Sequence, residues 1–373
     1  MKLIYLANIG LPTAWAHGIQ IMKMCEAFAG QGLEVELVAP RRRKVRRENP
    51  FKFFGVKENF EIKFIPFLDL APGHSGSLFF RLRLLSFFLV AKIYLMFQRY
   101  DILYTRDHAA GLFFKNFYLE VHSMPASIKS WHKKVWRKAQ SLIVLTSFIR
   151  QELREAGIAG EKILVASDGV DLEKFDIPVF QQEARQKLSL PMDKKIILYA
   201  GSFYLRDWKG VDVLLEAAKY LSPDCLLVLV GGQENEIEKI KKNYPAGNIL
   251  LFGRQPYQKI PLYLKAADIL VLPNKKGESI SEKYTSPLKL FEYMAAGRPI
   301  VASDLPTICE VLNENNSVLV VPNDPDALAG GIKKVLSDAG LSERISHQAL
   351  FDVKNYTWDN RAKNIINFSN TKT

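Results

Sequence analysis

Tyr284-Thr285-Ser286-Pro287-Leu288-Lys289-Leu290-Phe291-Glu292-Tyr293-Met294-Ala295-Ala296-Gly297-Arg298-Pro299-Ile300-Val301-Ala302-Ser303 is the stretch that decides the architecture. Ser286 suits a helix N-cap, and Pro287 suits the first helical position, where its missing N–H costs nothing. Leu288 to Ala296 then read as helix, with Phe291 and Met294 toward a core and Gly297 as the left-handed stop. Pro299 to Ala302 follow as a short strand. A helix closing onto an apolar strand is the repeating step of a parallel α/β sheet. Lys289 is out of place electrostatically, because a cation in the first turn opposes the helix dipole. An anion on the free amides of Leu288 and Lys289 would reverse that sign. Glu292 lies three residues on and shares the face of Lys289. A surface Lys–Glu pair on an ordinary helix leaves the same spacing.

The same alternation extends outward in both directions. Upstream of this stretch, strands are expected at Leu3–Ala7, Val35–Ala39, Ile62–Ile65, Ile102–Thr105, Phe117–Val121, Leu142–Leu145 and Ile163–Ala166. They resume at Ile196–Ala200, Leu226–Val230, Ile249–Phe252 and Ile269–Leu272, and continue past it at Ile300–Ala302 and Val318–Val321. Most are apolar on both faces, as strands covered by helices on both sides must be. Helical patterns such as His17–Gly30, Gly210–Tyr220 and Ile260–Ala267 lie between them. A chain of 373 residues holds two domains at roughly 150 residues each. The break is expected between Phe175 and Lys195, where Pro178, Pro191 and a polar helical stretch interrupt the strands. This gives a first domain over 1–175, a linker over 176–194 and a second domain over 195–357. A helix over 358–373 is expected to return to the first domain.

Hydrophobic residues make up 48% and charged residues 24%, which excludes disordered and fibrous classes. The net charge of +12 is concentrated. The run Arg41-Arg42-Arg43-Lys44-Val45-Arg46-Arg47 holds six cations and no anion, half the excess in one segment, which points to an anionic partner. Three cysteines, Cys25, Cys225 and Cys309, lack disulfide or metal spacing and are each expected as small buried hydrophobes in a reducing compartment. Lys2 and Ala14-Trp15-Ala16 imitate a leader peptide, but Gly10 and Pro12 interrupt its apolar region, so no leader is expected. Leu84 to Phe97 is the longest apolar run, and it contains Lys92 and falls short of the ~20 residues of a span.

From Ser286 to Pro299 the order of residues resembles the signature of family 4 glycosyltransferases. These are retaining enzymes of the GT-B type, with two Rossmann-like, doubly wound domains facing across a cleft. Other segments resemble the family in order and spacing. They are Ala16-His17-Gly18-Ile19-Gln20, Asp168-Gly169-Val170-Asp171, Gly201-Ser202-Phe203 with Trp208-Lys209-Gly210, and Ala266-Ala267-Asp268-Ile269. The resemblance implies a donor site of Gly18, Ser202, Arg206, Lys209, Pro287, Leu288, Lys289 and Glu292. Gly18 would let a loop approach the donor diphosphate, although a plain turn glycine fits as well. Lys209 would stabilise the leaving group, Ser202 stands where many members carry Arg, and Arg206 is the alternative cation. Glu292 matches the second glutamate of the family's Glu-x7-Glu motif and would hold the ribose hydroxyls. Tyr284 stands in the place of the first, with Glu278, Glu282 or backbone amides left to replace it. His122 resembles the family's histidine beside the transferred sugar. Arg106 stands either toward an acceptor or in a pair with Asp107.

The expected function is therefore transfer of a sugar from a nucleotide-sugar donor to a glycan or lipid-linked acceptor, in the cytoplasm. The route implied is departure and attack on one face, the leaving phosphate accepting the acceptor's proton. No metal or other cofactor is expected, since the histidines lack ligand spacing. The absence of a Gly-x-x-x-x-Gly-Lys-Ser/Thr loop speaks against a nucleoside triphosphatase. A sugar-nucleotide epimerase of the same fold is the nearest alternative. A basic nucleic-acid-binding protein is the more distant one, although Arg41–Arg47 lacks interleaved aromatics and no nucleic-acid partner is expected. An anionic membrane surface is the expected partner of that run, helped by Pro50-Phe51-Lys52-Phe53-Phe54 at headgroup level. Leu78–Phe97 also has interfacial composition, but its nearly all-round apolar character from Leu84 points to core packing.

Overall fold

A computed structural model describes residues 1–13, 15–42, 48–69, 78–205, 207–245 and 247–370. Arg43 to Arg47 of the basic run, Arg206 and Ala14 lie outside the described residues. The chain divides into two compact units, Met1–Ser167 with Trp358–Thr373, and Asp168–Thr357.

Among the described residues of the first unit, seven strands form one parallel sheet. They are β1 (Lys2–Leu6), β2 (Glu34–Pro40), β3 (Glu61–Ile65), β4 (Ile102–Thr105), β5 (Tyr118–Val121), β6 (Ser141–Val144) and β7 (Ile163–Val165). Their order is β3-β2-β1-β4-β5-β6-β7. The second unit holds a six-stranded parallel sheet. Its strands are β8 (Lys195–Ala200), β9 (Cys225–Gly232), β10 (Ile249–Gly253), β11 (Ile269–Leu272), β12 (Ile300–Ser303) and β13 (Val318–Val320), in the order β10-β9-β8-β11-β12-β13. Both sheets reverse direction of growth beside their first strand, between β1 and β4 and between β8 and β11. That reversal is the Rossmann-like switch point, where loops leaving the carboxyl ends of neighbouring strands part and leave room for a ligand.

The double-sided apolar pattern works as the sequence implies. In the second sheet Ile196, Leu198, Val228 and Leu270 enter one core. Ile197, Tyr199, Leu227 and Ile269 enter the other. Alternate residues of each strand thus feed opposite layers of helices.

The unit boundary falls earlier than the expected break between Phe175 and Lys195. Val170, Phe175, Ala184 and Leu190 are buried in a core of the second unit. Helix Gln181–Lys187 is anchored there by Arg185, which meets Asp268 Oδ2 at 2.6 Å and the carbonyl of Ala266 at 3.0 Å. The stretch read as a linker from its prolines and polarity is packed structure, because Val179, Ala184, Leu188 and Leu190 join the second unit's core while Phe180 and Met192 stay exposed. At the far end, helix Trp358–Asn370 packs on helix α1 (Ala16–Gly30).

Cys25 and Cys225 are buried, whereas Cys309 is exposed. It ends the four-residue helix Pro306–Cys309 at the surface and donates to Asp304 Oδ1 at 3.1 Å. Among the described residues no helix is long and apolar enough to cross a membrane.

Candidate functional site

In the second unit the site grows from the carboxyl ends of β8 and β11. Gly201 follows β8 at φ 152°, and a Cβ there would lie 2.9 Å from both Lys289 Nζ and Tyr199 Oη. Glycine is therefore what lets the backbone run beside a lysine head. Lys209 lies farther along the same loop. Gly210 then starts the helix Val211–Ala217 from the left-handed region, with φ 67°. A Cβ at Gly210 would stand 1.8 Å from the carbonyl oxygen of Pro273, so no other residue fits. The loop is tied to the exit of β11 by Lys275 N–H on the Trp208 carbonyl at 2.7 Å and by Lys275 Nζ to Asp212 at 3.0 Å.

Two ammonium groups converge here. Lys209 donates to Ser202 Oγ and lies 4.9 Å from the Tyr204 ring centroid. Lys289 donates to Tyr199 Oη at 2.8 Å, its Nζ 4.1 Å from that ring's centroid. Among the described residues neither makes an ion pair. Burial pushes Lys289 down to about 7, and the charge of Lys209 pushes it the same way. Burial likewise lowers Lys209. The charge of Asp207 acts on both lysines in the opposite sense but forms an ion pair with neither, and two cations so placed are chemically suited to an anion.

Lys289 projects from helix α2 (Leu288–Ala295). Its cap differs from the expected one. Pro287 is the N-cap, with ψ 122° and no side-chain bond to the first turn. Ser286 Oγ instead accepts from the backbone N–H of Asp168 at 2.9 Å. The first turn thus has no side-chain cap. One turn on, Glu292 is buried, and its Oε1 accepts from Tyr257 Oη at 2.8 Å while Oε2 has no partner among the described residues. Burial raises its carboxyl to about 7, against the lowering effects of Tyr257 and Lys289. Glu282, a candidate to replace the missing glutamate, is engaged within its own loop, accepting from the Gly277 N–H at 2.6 Å. Glu278 is exposed. Just beyond β11, Asn274 is 1% exposed and, among the described residues, neither polar atom of its amide has a hydrogen-bond partner.

The first unit assembles a second cluster around a buried carboxylate. Glu120, on β5, accepts through Oε1 from Gln20 Nε2 at 2.6 Å and Arg361 Nη2 at 2.6 Å, and through Oε2 from Tyr104 Oη at 2.8 Å. His122 Nε2 lies 2.9 Å from the same Oε1. An ionised carboxylate only accepts, so Nε2 carries the proton and Nδ1 presents a lone pair. Burial, with Arg106 adding to it, pushes His122 down to about 4, so the ring is neutral at pH 7. Arg361 holds Glu120 far below the usual carboxylate range against the effect of burial. Arg106 donates to Gln20 Oε1 at 2.9 Å and makes no pair with Asp107, which accepts from the Asn8 N–H at 2.9 Å. Gly18 lies in the first turn of α1 rather than in a turn or loop. A Cβ there would come within 2.5 Å of Thr13 Cγ2 and 2.9 Å of Phe54 Cζ, so a larger residue would force those side chains to shift.

Residues 18–174 match the model of Glycosyltransferase Family 4, and residues 180–350 match that of Glycosyl transferases group 1. The chain belongs to the family 4, group 1 glycosyltransferases. This family 4 chain is 30% identical over 217 residues to a D-inositol 3-phosphate glycosyltransferase of Xylanimonas cellulosilytica, covering 54% of the chain and 49% of that relative. It spans about half the length of the curated relatives it matches (53%, 59% and 49%). Among solved structures it resembles sucrose-phosphate synthase from Thermosynechococcus elongatus, with TM-score 0.80, 22% identity and coverage of 100% and 99% of the two chains. It also resembles Anabaena HepE in complex with UDP, with TM-score 0.77, 16% identity and coverage of 100% of each. These likenesses give the family 4 chain the GT-B fold of two Rossmann-like domains.

The structure thus brings Ser202, Lys209, Lys289 and Glu292 to one edge of the second sheet, and His122, Arg106 and Gly18 to the first. Sequence reasoning missed Tyr199, Tyr257, Asn274, Gln20 and Arg361. Only Glu120, a carboxylate inside an apolar strand, carried a readable signal.

Proposed function

We propose that this protein is a retaining glycosyltransferase that moves a sugar from a nucleotide-sugar donor to a hydroxyl of a glycan or lipid-linked acceptor. The observation that carries the reading is the pair of lysine heads, Lys209 and Lys289, without a carboxylate partner at the switch point of the second sheet. That is the charge a diphosphate needs. The amides of Leu288 and Lys289, opened by Pro287, add donors, and Ser202 completes the loop. Glu292 Oε2 accepts from ribose hydroxyls while Tyr257 holds the other oxygen. His122 offers neutral Nδ1 to a hydroxyl of the transferred sugar. Arg106 serves the acceptor side. Crystals of HepE with UDP-glucose support a nucleotide-sugar donor for the fold.

In the reaction the bond from the anomeric carbon to the phosphate oxygen breaks while the acceptor oxygen attacks on the same face. The acceptor's proton passes to the departing phosphate oxygen. Lys209 and Lys289 stabilise the negative charge that develops there, in the place a divalent ion takes elsewhere. No divalent ion is required in this scheme. The enzyme works in the cytoplasm at the inner membrane face, with Arg41–Arg47 against anionic headgroups. A thermal-shift panel of nucleotide sugars tests the donor assignment: a true donor at 100 times its Kd adds ~2.7 kcal/mol of stability. A panel in which nucleotide sugars shift nothing while nucleic acid does would overturn it.

A further inference from the structure

Helix α2 is preceded in the first unit by a longer one, Leu78–Met96, that is covered on one side only. Phe87, Phe88, Ala91 and Leu95 are buried. On the opposite side Leu82, Leu85, Leu89, Ile93 and Met96 are exposed, with Phe97 beyond them 81% exposed. Their spacing of three, four, four and three residues lines them up along one face for ~20 Å. The expectation of core packing for this run therefore holds for one face and fails for the other. A continuous apolar stripe of this kind marks a contact surface, unlike the scattered apolar residues of ordinary surfaces.

The charges around the stripe select the partner. From Leu78 to Tyr100 there is no Asp or Glu, while Arg81, Lys92 and Arg99 are exposed. Arg41, which opens the basic run after β2, is also exposed. Arg42 lies close enough to Arg83 on this helix for the two charges to repel each other. A second copy docked face to face would set these cations against themselves without one acid on the helix to pair them. The aromatics Phe51 and Phe54, expected at headgroup level, are committed elsewhere. Phe54 is buried, and Phe51 packs on Phe60 with ring centroids 4.9 Å apart.

We propose that the exposed face of Leu78–Met96 lies in the headgroup and acyl boundary of an anionic lipid bilayer, its apolar stripe inserted and its cations against lipid phosphates. This deepens the membrane reading of Arg41–Arg47 and rests on it for the anionic surface, but it moves the apolar contact to the helix.

The test is co-sedimentation of the full chain with phosphatidylcholine vesicles containing about a third phosphatidylglycerol, and with phosphatidylcholine alone. The wild type should favour the anionic vesicles. The triple variant Leu85→Gln, Leu89→Gln, Ile93→Gln should lose at least about tenfold in binding to them. It should melt as the wild type does, because these side chains are outside the core. Leu82→Gln with Met96→Gln repeats the test at the two ends of the stripe if the triple variant melts early. Polar variants that bind anionic vesicles like the wild type, while Arg41→Ser with Arg42→Ser releases the protein, would overturn the helix and leave the basic run standing. A wild type that ignores anionic vesicles at low salt would overturn both. A dimer that the triple variant converts to monomer would assign the face to a second copy and overturn the lipid assignment.

Discussion

Affinity for a nucleoside diphosphate should fall steeply above pH 7, and Lys289 should be the cause. Burial and the neighbouring charge of Lys209 hold Lys289 at about 7. A bound diphosphate supplies the missing counter-charge and returns the ammonium toward its ordinary value of 10.5. Only the charged form then binds well. Below pH 7 most of the free protein is competent, and above it the competent fraction falls tenfold per unit. Half is charged at pH 7 and about one part in a hundred at pH 9, so affinity should drop ~50-fold, or ~2.3 kcal/mol, over that interval. The ligand contributes little over this range, since a terminal phosphate with its second pKa at about 6 is almost fully ionised by pH 7. Glu292, also at about 7, gains negative charge in the same interval and, by supporting the charge on Lys289, softens the loss. Calorimetry with UDP, GDP and ADP at pH 7, 8 and 9 identifies the binding nucleotide and gives the slope. Two buffers of different ionisation enthalpy give the proton uptake directly. Lys289→Met should bind weakly at every pH with the slope reduced. Glu292→Gln should keep a slope but move its midpoint to lower pH, because Glu292 supports the charge on Lys289. An affinity constant within about twofold from pH 7 to 9, or a Lys289→Met protein with the full slope, would refute the reasoning.

Four further outcomes follow from the same geometry. Lys209→Ala should lower turnover by roughly 10²–10³-fold, as loss of one preorganised group at a leaving anion does, and wild-type rates in steady-state assays would exclude it from that role. Turnover should survive EDTA, because two lysines carry the phosphate charge; activity lost to EDTA and restored by Mg²⁺ or Mn²⁺ would contradict this. Glu292→Gln should weaken free nucleotide and nucleotide sugar alike, so normal nucleotide affinity with collapsed turnover would move Glu292 to the sugar. Arg361→Met should cost ~3–5 kcal/mol in urea unfolding by stranding the Glu120 carboxylate, with most of it recovered by adding Glu120→Gln; an unchanged midpoint would show that the pair does not hold the terminal helix.

Local chemistry determined the framework. Each of the thirteen strands lies on a stretch that is readable from its own residues, because an apolar run bounded by glycine, proline or polar turns has few other ways to satisfy its backbone. Gly297 stops helix α2 at φ 63° as its position implies. Family membership was legible in the same short segments. What the sequence did not reveal depends on partners far along the chain. Ser286 reads as a cap in isolation, yet its oxygen serves Asp168, 118 residues away. Arg361 reaches Glu120 across 241 residues, and through it His122 has its tautomer. Gly18 is hemmed in by Phe54, 36 residues along the chain, a contact its own neighbours do not reveal. The boundary moved to Ser167 because packing, not proline content, decides which core a segment joins. An apolar helix from Leu78 to Met96 has the same composition whether one face or two are covered. Only the tertiary fold decides which side stays in contact with solvent, since hydrophobicity is a property of the side chain and burial a property of its neighbours.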